Sequence, residues 1–126
     1  MKIIGIDLGG TKISAAVVEA DKIIELVEEV TDKKGGIATI EQIKRIIGEL
    51  IKKHKTIKAI GIGVPAMVDA VKGIVYDVTN IPDWKEVPLV KILKQSFNQP
   101  VYINNDANRF ALGEKYFGKD KKSQNT

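Results

Sequence analysis

At 126 residues, 44% hydrophobic and 29% charged, the chain has the length of one domain and enough apolar content for a buried core. It contains no cysteine and a single histidine, His54, which excludes disulfide scaffolds, thiolate zinc sites, catalytic thiols and His-based metal clusters. The net charge of +4 comes largely from lysines grouped at Lys52, Lys53 and Lys55 and again at Lys119, Lys121 and Lys122. Arginine occurs only at Arg45 and Arg109, so the pattern suits a solvated surface better than a nucleic-acid interface. No apolar run approaches the ~20 residues needed to span a bilayer. No leader pattern follows Met1, and the expectation is a soluble cytoplasmic domain with no membrane partner.

In chain order, Lys2 to Leu8 is almost continuously apolar, as a strand covered on both faces would be. Gly9-Gly10-Thr11-Lys12 reads as a tight turn in which glycine supplies positive φ. Ile13 to Val18 and Ile23 to Val30 read as two further strands, joined by a turn at Asp21-Lys22, so the first thirty residues predict an antiparallel meander. The period then changes. Ile40, Ile43, Ile46, Ile47, Leu50 and Ile51 share one face of a helix, with Thr39 and Gln42 spaced as a capping box and lysines at the far end. Ile57 to Val64 is expected as a buried strand. A loop region follows, punctuated by Pro65, Gly73, Pro82 and Trp84, with a short hairpin around Ile74 to Val78. Pro88 opens a helix carrying Leu89, Ile92, Leu93 and Phe97. A short strand from Pro100 to Ile103 precedes a helix from Asn105 to Phe117, stopped by Gly118, and the tail beyond is polar. The order is βββαβαβα, an α/β fold with a mixed central sheet.

Two segments carry chemistry. In Ile6-Asp7-Leu8-Gly9-Gly10-Thr11-Lys12 an acid near the end of a buried strand meets a glycine turn. Backbone N–H groups in such a turn can approach a phosphate without Cβ obstruction. Thr11 would add a hydroxyl, Lys12 a positive charge, and Asp7 a carboxylate for a hydrated Mg²⁺. A plain hairpin with an exposed lysine gives the same spacing. In Asn104-Asn105-Asp106-Ala107-Asn108, four polar side chains stand at a strand-to-helix junction. Helix capping accounts for one of them. A carboxylate among amides there could accept a hydroxyl proton while the amides orient a substrate. Gly61-Ile62-Gly63-Val64-Pro65-Ala66 satisfies a dinucleotide fingerprint in form only, because Pro65 and Gly73 leave no room for the helix that fingerprint needs. His54, among lysines at a helix end, is read as solvated. Trp84 either packs under the loop or lines a sugar face.

Taken together, these residues resemble the ROK family of sugar kinases and sugar-responsive repressors. Asp7-Leu8-Gly9-Gly10-Thr11-Lys12 is similar to the family's first phosphate motif, and Gly61-Ile62-Gly63-Val64-Pro65 to the segment leading into its sugar site. Thr79-Asn80-Ile81-Pro82-Asp83-Trp84 is similar to its substrate loop, and Asn105-Asp106-Ala107-Asn108, followed by Ala111, Gly113 and Glu114, to its catalytic segment. The resemblance implies an actin-like, ribonuclease-H-like lobe over residues 1–118, with 119–126 as a tail or hinge to a second lobe. It implies ATP and Mg²⁺ as cofactors, with Asp7, Gly9, Gly10, Thr11 and Lys12 serving them, and a hexose or hexose derivative as acceptor. Asp106 would be the catalytic base; Ala66, Met67, Thr79, Asn80, Asn105 and Asp106 would contact the sugar. The family often has glycine where Ala66 stands. Its zinc site, second phosphate motif and adenosine pocket belong to a lobe this chain does not resemble, so the isolated lobe is expected to be inactive, with homodimerisation open. The rival implied by the same resemblance is a sugar-sensing regulator. In that branch a DNA-binding helix-turn-helix precedes the first strand, and here the first strand begins at Lys2.

Overall fold

The computed structural model describes residues 1–78, 81 and 84–105. The meander forms as expected: β1 (Lys2–Leu8), β2 (Lys12–Glu19) and β3 (Lys22–Val30) pair antiparallel in sequence order. An 18-residue helix, α1 (Gly36–Lys53), leads into β4 (Ile57–Gly63), which returns parallel to β1 on its free side. The strand β8 (Val101–Asn104) adds parallel to β4 and completes a five-stranded mixed sheet in the order β3-β2-β1-β4-β8.

Register explains how one sheet carries two unlike faces. Side chains alternate along a strand, and residues paired across strands project to the same side. The row Val27, Ala15, Ile6, Ile62, Ile103 is apolar throughout, and the row Val17, Ile4, Ile60, Val101 is apolar up to Glu25 at its β3 end. They form one core with Ile43, Ile46, Ile47 and Leu50 of α1. The opposite face carries the rows Ala16, Gly5, Gly61, Tyr102 and Ser14, Asp7, Gly63, Asn104. There a second cluster is small, Ala16 and Val18 with Ile3 and Ile23.

The segment expected to be mostly loop contains more structure than its sequence suggests. β5 (Met67–Asp69), β6 (Ile74–Tyr76) and β7 (Glu86–Val87) build a separate three-stranded antiparallel sheet. Trp84 is buried within the main core, and its indole N–H donates to the Gly36 carbonyl at 3.0 Å. That contact places Trp84 in the core. The short helix α2 (Leu89–Lys94) follows Pro88, which stands at its N-cap, and seats Leu89 and Leu93 in the same core. The expected helix after Asn105 lies outside the described residues.

Two local expectations need correction. α1 begins at Gly36, three residues before Thr39, with Gly35 as an N-cap that offers no side-chain bond. Thr39 and Gln42 are therefore not a capping box. The Thr39 hydroxyl donates to the Asp32 carbonyl at 2.6 Å, and the Gln42 side chain accepts from the Asp32 N–H at 2.7 Å and donates to the Val30 carbonyl at 2.9 Å. Both tie the chain that enters the helix. His54 is not solvated: its side chain is 13% exposed, and Nε2 lies 2.6 Å from Glu25 Oε1. That bond, with help from Lys53, holds the Glu25 carboxyl below the usual carboxylate range.

Candidate functional site

The C-terminal ends of β1, β4 and β8 lie side by side, because Asp7 pairs with Gly63 and Gly63 with Asn104. The ladder continues one step beyond, where the Val64 N–H donates to the Asn104 carbonyl at 2.9 Å. With neighbouring strands about 4.8 Å apart, Asp7 and Asn104 stand roughly 10 Å from each other along one edge. Strand carboxyl ends are where open α/β sheets gather ligands.

The described members of the sequence-derived site lie at or just beyond this edge. The Gly9–Thr11 turn follows β1, Ala66 and Met67 follow β4, and Asn105 follows β8. Asp7 and Asn105 are exposed, Ala66 is half-buried, and Met67, the first residue of β5, is 75% exposed. β5 also touches β8, which keeps the small sheet beside the strand ends. Thr79, Asn80 and Asp106 lie outside the described residues. The strand β4 passes into a turn and β5 rather than a helix, so the Gly61–Ala66 segment is not a dinucleotide fingerprint here.

The glycine turn is built differently from expectation. Among the described glycines, positive φ is recorded at Gly73 and not at Gly9 or Gly10. What Gly9 provides is room: a Cβ there would sit 2.8 Å from the Lys12 carbonyl oxygen, to which the Gly9 N–H donates at 3.0 Å. Lys12 does not project free into solvent. Its ammonium lies 3.3 Å from Glu28 Oε2, an oxygen that also accepts from Ser14 Oγ at 3.3 Å. Both charged side chains are about half-exposed. Exposed ion pairs of this kind contribute about 0–1 kcal/mol, so a phosphate could redirect the lysine at little cost.

Two further residues shape the turn. Glu28 restrains Lys12, and Thr31, buried at the end of β3, bonds the turn through both its main chain and its hydroxyl. Sequence reasoning passed over both because only the β2–β3 register brings them near. A threonine ending a strand and a glutamate on an edge strand carry no local signal.

Among the described residues, no group of three or more His, Cys, Asp or Glu side chains is assembled for a metal. Of the two carboxylates in the sequence-derived site, Asp7 lies among the described residues, exposed on the strand that leads into the turn, and a single carboxylate is compatible with an ion that keeps most of its waters. Among the described residues, no helix is long and apolar enough to cross a membrane.

The sheet order and the two-faced architecture are those of an actin-like ATPase lobe. The chain belongs to the ROK family, whose model matches residues 3–126. It is 40% identical over 121 residues to a glucokinase of Thermotoga maritima, an alignment covering 94% of this chain and 38% of that protein. It is 41% identical over 125 residues to a xylose repressor of Caldicellulosiruptor bescii, covering 92% and 30%. A crystal structure of a ROK family glucokinase from Streptomyces griseus, in complex with glucose and AMPPNP, superposes with a TM-score of 0.79 at 34% identity, covering 94% of this chain and 37% of that one. The chain thus spans between 30% and 38% of the length of these relatives.

Proposed function

We propose that these residues form the amino-terminal lobe of an ATP-dependent sugar kinase acting on a hexose or hexose derivative. The observation that supports this reading is the alignment of Asp7, Gly63 and Asn104 in one row, by which the strand leading into the glycine turn and the strand ending at Asn104 share one sheet edge. On this reading the N–H groups of the turn, the Thr11 hydroxyl and the Lys12 ammonium receive the phosphates of ATP. Mg²⁺ would supply charge neutralisation at the phosphates, with Asp7 holding it through water. Asn105, Asn80, Thr79 and the backbone near Ala66 and Met67 orient the sugar. Asp106 accepts the proton of the acceptor hydroxyl as its oxygen bonds to the γ-phosphorus and ADP departs. The likeness to a glucokinase crystallised with glucose and AMPPNP supports both ligands. One lobe cannot exclude water from both sides of the phosphates, so turnover belongs to a full-length protein carrying this chain.

General-base catalysis is worth ~10²–10⁴ in rate. Asp106→Asn in that full-length protein is expected to lose turnover by about this factor in an ADP-release assay with a panel of hexoses, while calorimetry still detects sugar binding. Near-normal turnover would remove Asp106 from the role.

A second reading, a sugar-sensing regulator without chemistry, is supported by the 41% identity to a xylose repressor. Specific DNA binding by the full-length protein, with no sugar-dependent ADP release, would establish it in place of the kinase.

A further inference from the structure

We propose that Thr31 is the positioning residue of the phosphate turn, an inference that rests on the nucleotide reading above. Thr31 follows β3, is 4% exposed, and is 22 residues from Gly9 in the chain. Its hydroxyl donates to the Gly9 carbonyl at 2.8 Å, and its own N–H donates to the Thr11 carbonyl at 2.9 Å. One residue therefore grips two of the three peptide carbonyls between Gly9 and Thr11.

The consequence follows from peptide geometry. Among the described residues no peptide bond is cis, and in a planar trans peptide the C=O and the N–H of the same unit point in opposite directions. Fixing the Gly9 carbonyl on Thr31 aims the Gly10 N–H away from Thr31. Fixing the Thr11 carbonyl does the same for the Lys12 N–H. These are donors of the turn that the nucleotide reading assigns to phosphate.

The two bonds differ in what they demand of the sequence. The main-chain bond extends the β2–β3 ladder, and any residue other than proline at position 31 could make it. The side-chain bond requires a hydroxyl. A two-residue hairpin ordinarily directs its first carbonyl back to the N–H across the turn. Here the Gly9 carbonyl is engaged by Thr31, which competes with that closure and keeps the Lys12 amide from being drawn into it. Without the hydroxyl, a part-buried carbonyl loses its partner and the peptide has reason to rotate, since an acceptor left unsatisfied away from water is costly. Thr31 touches no substrate in this scheme; it acts through the turn.

The test uses Thr31→Val, which keeps the shape and deletes the donor, and Thr31→Ser, which keeps the donor. Both are made in a full-length protein carrying this chain and assayed below their unfolding transitions, with Mg·ADP titrated calorimetrically alongside. The valine variant is expected to raise KM for ATP and Kd for Mg·ADP about three- to tenfold, the worth of one hydrogen bond, while KM for the sugar stays within twofold. The serine variant is expected to restore both nucleotide constants to within twofold. Should the valine variant fail to fold, Thr31→Cys, similar in size with a weak donor, takes its place with the same expectation. Unchanged nucleotide constants in the donor-deficient variant, or equal impairment in the serine variant, would overturn the inference and leave the kinase reading standing. Absence of nucleotide binding in the wild-type protein would overturn both.

Discussion

The two turns of the amino-terminal meander solve the same problem in opposite ways. Between β1 and β2, Gly9 and Gly10 stand in a turn that records no positive φ, and Gly9 is needed because the Lys12 carbonyl leaves no space for a Cβ. Between β2 and β3, Ala20 and Asp21 take φ of 52° and 67° with no glycine at all. Glu19 and Lys22 pair across that two-residue connection, so it is the left-handed turn that suits the twist of a hairpin. The first turn uses glycine to bring backbone close to backbone, and Thr31 braces it from outside. The second tolerates strained alanine and sits at the opposite end of the strands from the proposed site. Between these two turns, glycine marks crowding at the end of the proposed site and is missing where torsion alone would favour it.

A third turn combines both demands and should respond most strongly. Gly73 has φ +74°, and a Cβ there would meet Val90 Cβ at 2.6 Å. Its N–H donates to the Asp69 carbonyl at 2.7 Å and its carbonyl accepts from the Val90 N–H at 3.2 Å, linking the small sheet to α2. Gly73→Ala adds a left-handed penalty of ~1–2 kcal/mol to an overpacking penalty of ~1–3 kcal/mol. A loss of about 2–5 kcal/mol is expected in urea unfolding. A loss of only ~1 kcal/mol would show that Val90 yields and that only torsion matters at this position.

Gly9→Ala isolates crowding, since its φ carries no penalty. The Cβ would press on a backbone oxygen rather than a flexible side chain, so the turn itself must shift, at a cost of about 1–3 kcal/mol. The shift falls on the peptide units that Thr31 holds. The variant is therefore expected to weaken Mg·ADP binding in a full-length protein at least as much as Thr31→Val does. Equal stability and unchanged nucleotide binding would mean that the glycine is dispensable and the first turn resembles the second.

These contrasts also mark what was legible beforehand. Lys2–Leu8 and Ile57–Gly63 announce themselves because each is a run of isoleucine and glycine with few polar interruptions, most of it buried. α1 is legible from Ile43 to Leu50, where one face enters the core, but its start is not, because Gly35 offers no capping side chain. β5, β6 and β7 span three, three and two residues, too short to show a period. At the site, Asp7 and the glycine turn are visible because strand, acid and turn are contiguous. Thr31, Glu28 and the Glu25 partner of His54 are visible only through register, 14 to 29 residues away from what they touch.

The second turn offers the smallest and cleanest effect. Alanine at φ 52° carries a penalty that asparagine, whose short polar side chain suits the left-handed region, largely avoids. Asparagine also escapes the unfolded-state entropy that glycine would add. Ala20→Asn is therefore expected to raise stability by about 0.5–1 kcal/mol, read as a higher urea midpoint at constant slope. Because this turn lies away from Gly9, Thr31 and Lys12, nucleotide constants should not move. A stability gain with altered nucleotide binding would mean that the two ends of β2 are coupled, and the division between a strained structural turn and a braced functional one would have to be abandoned.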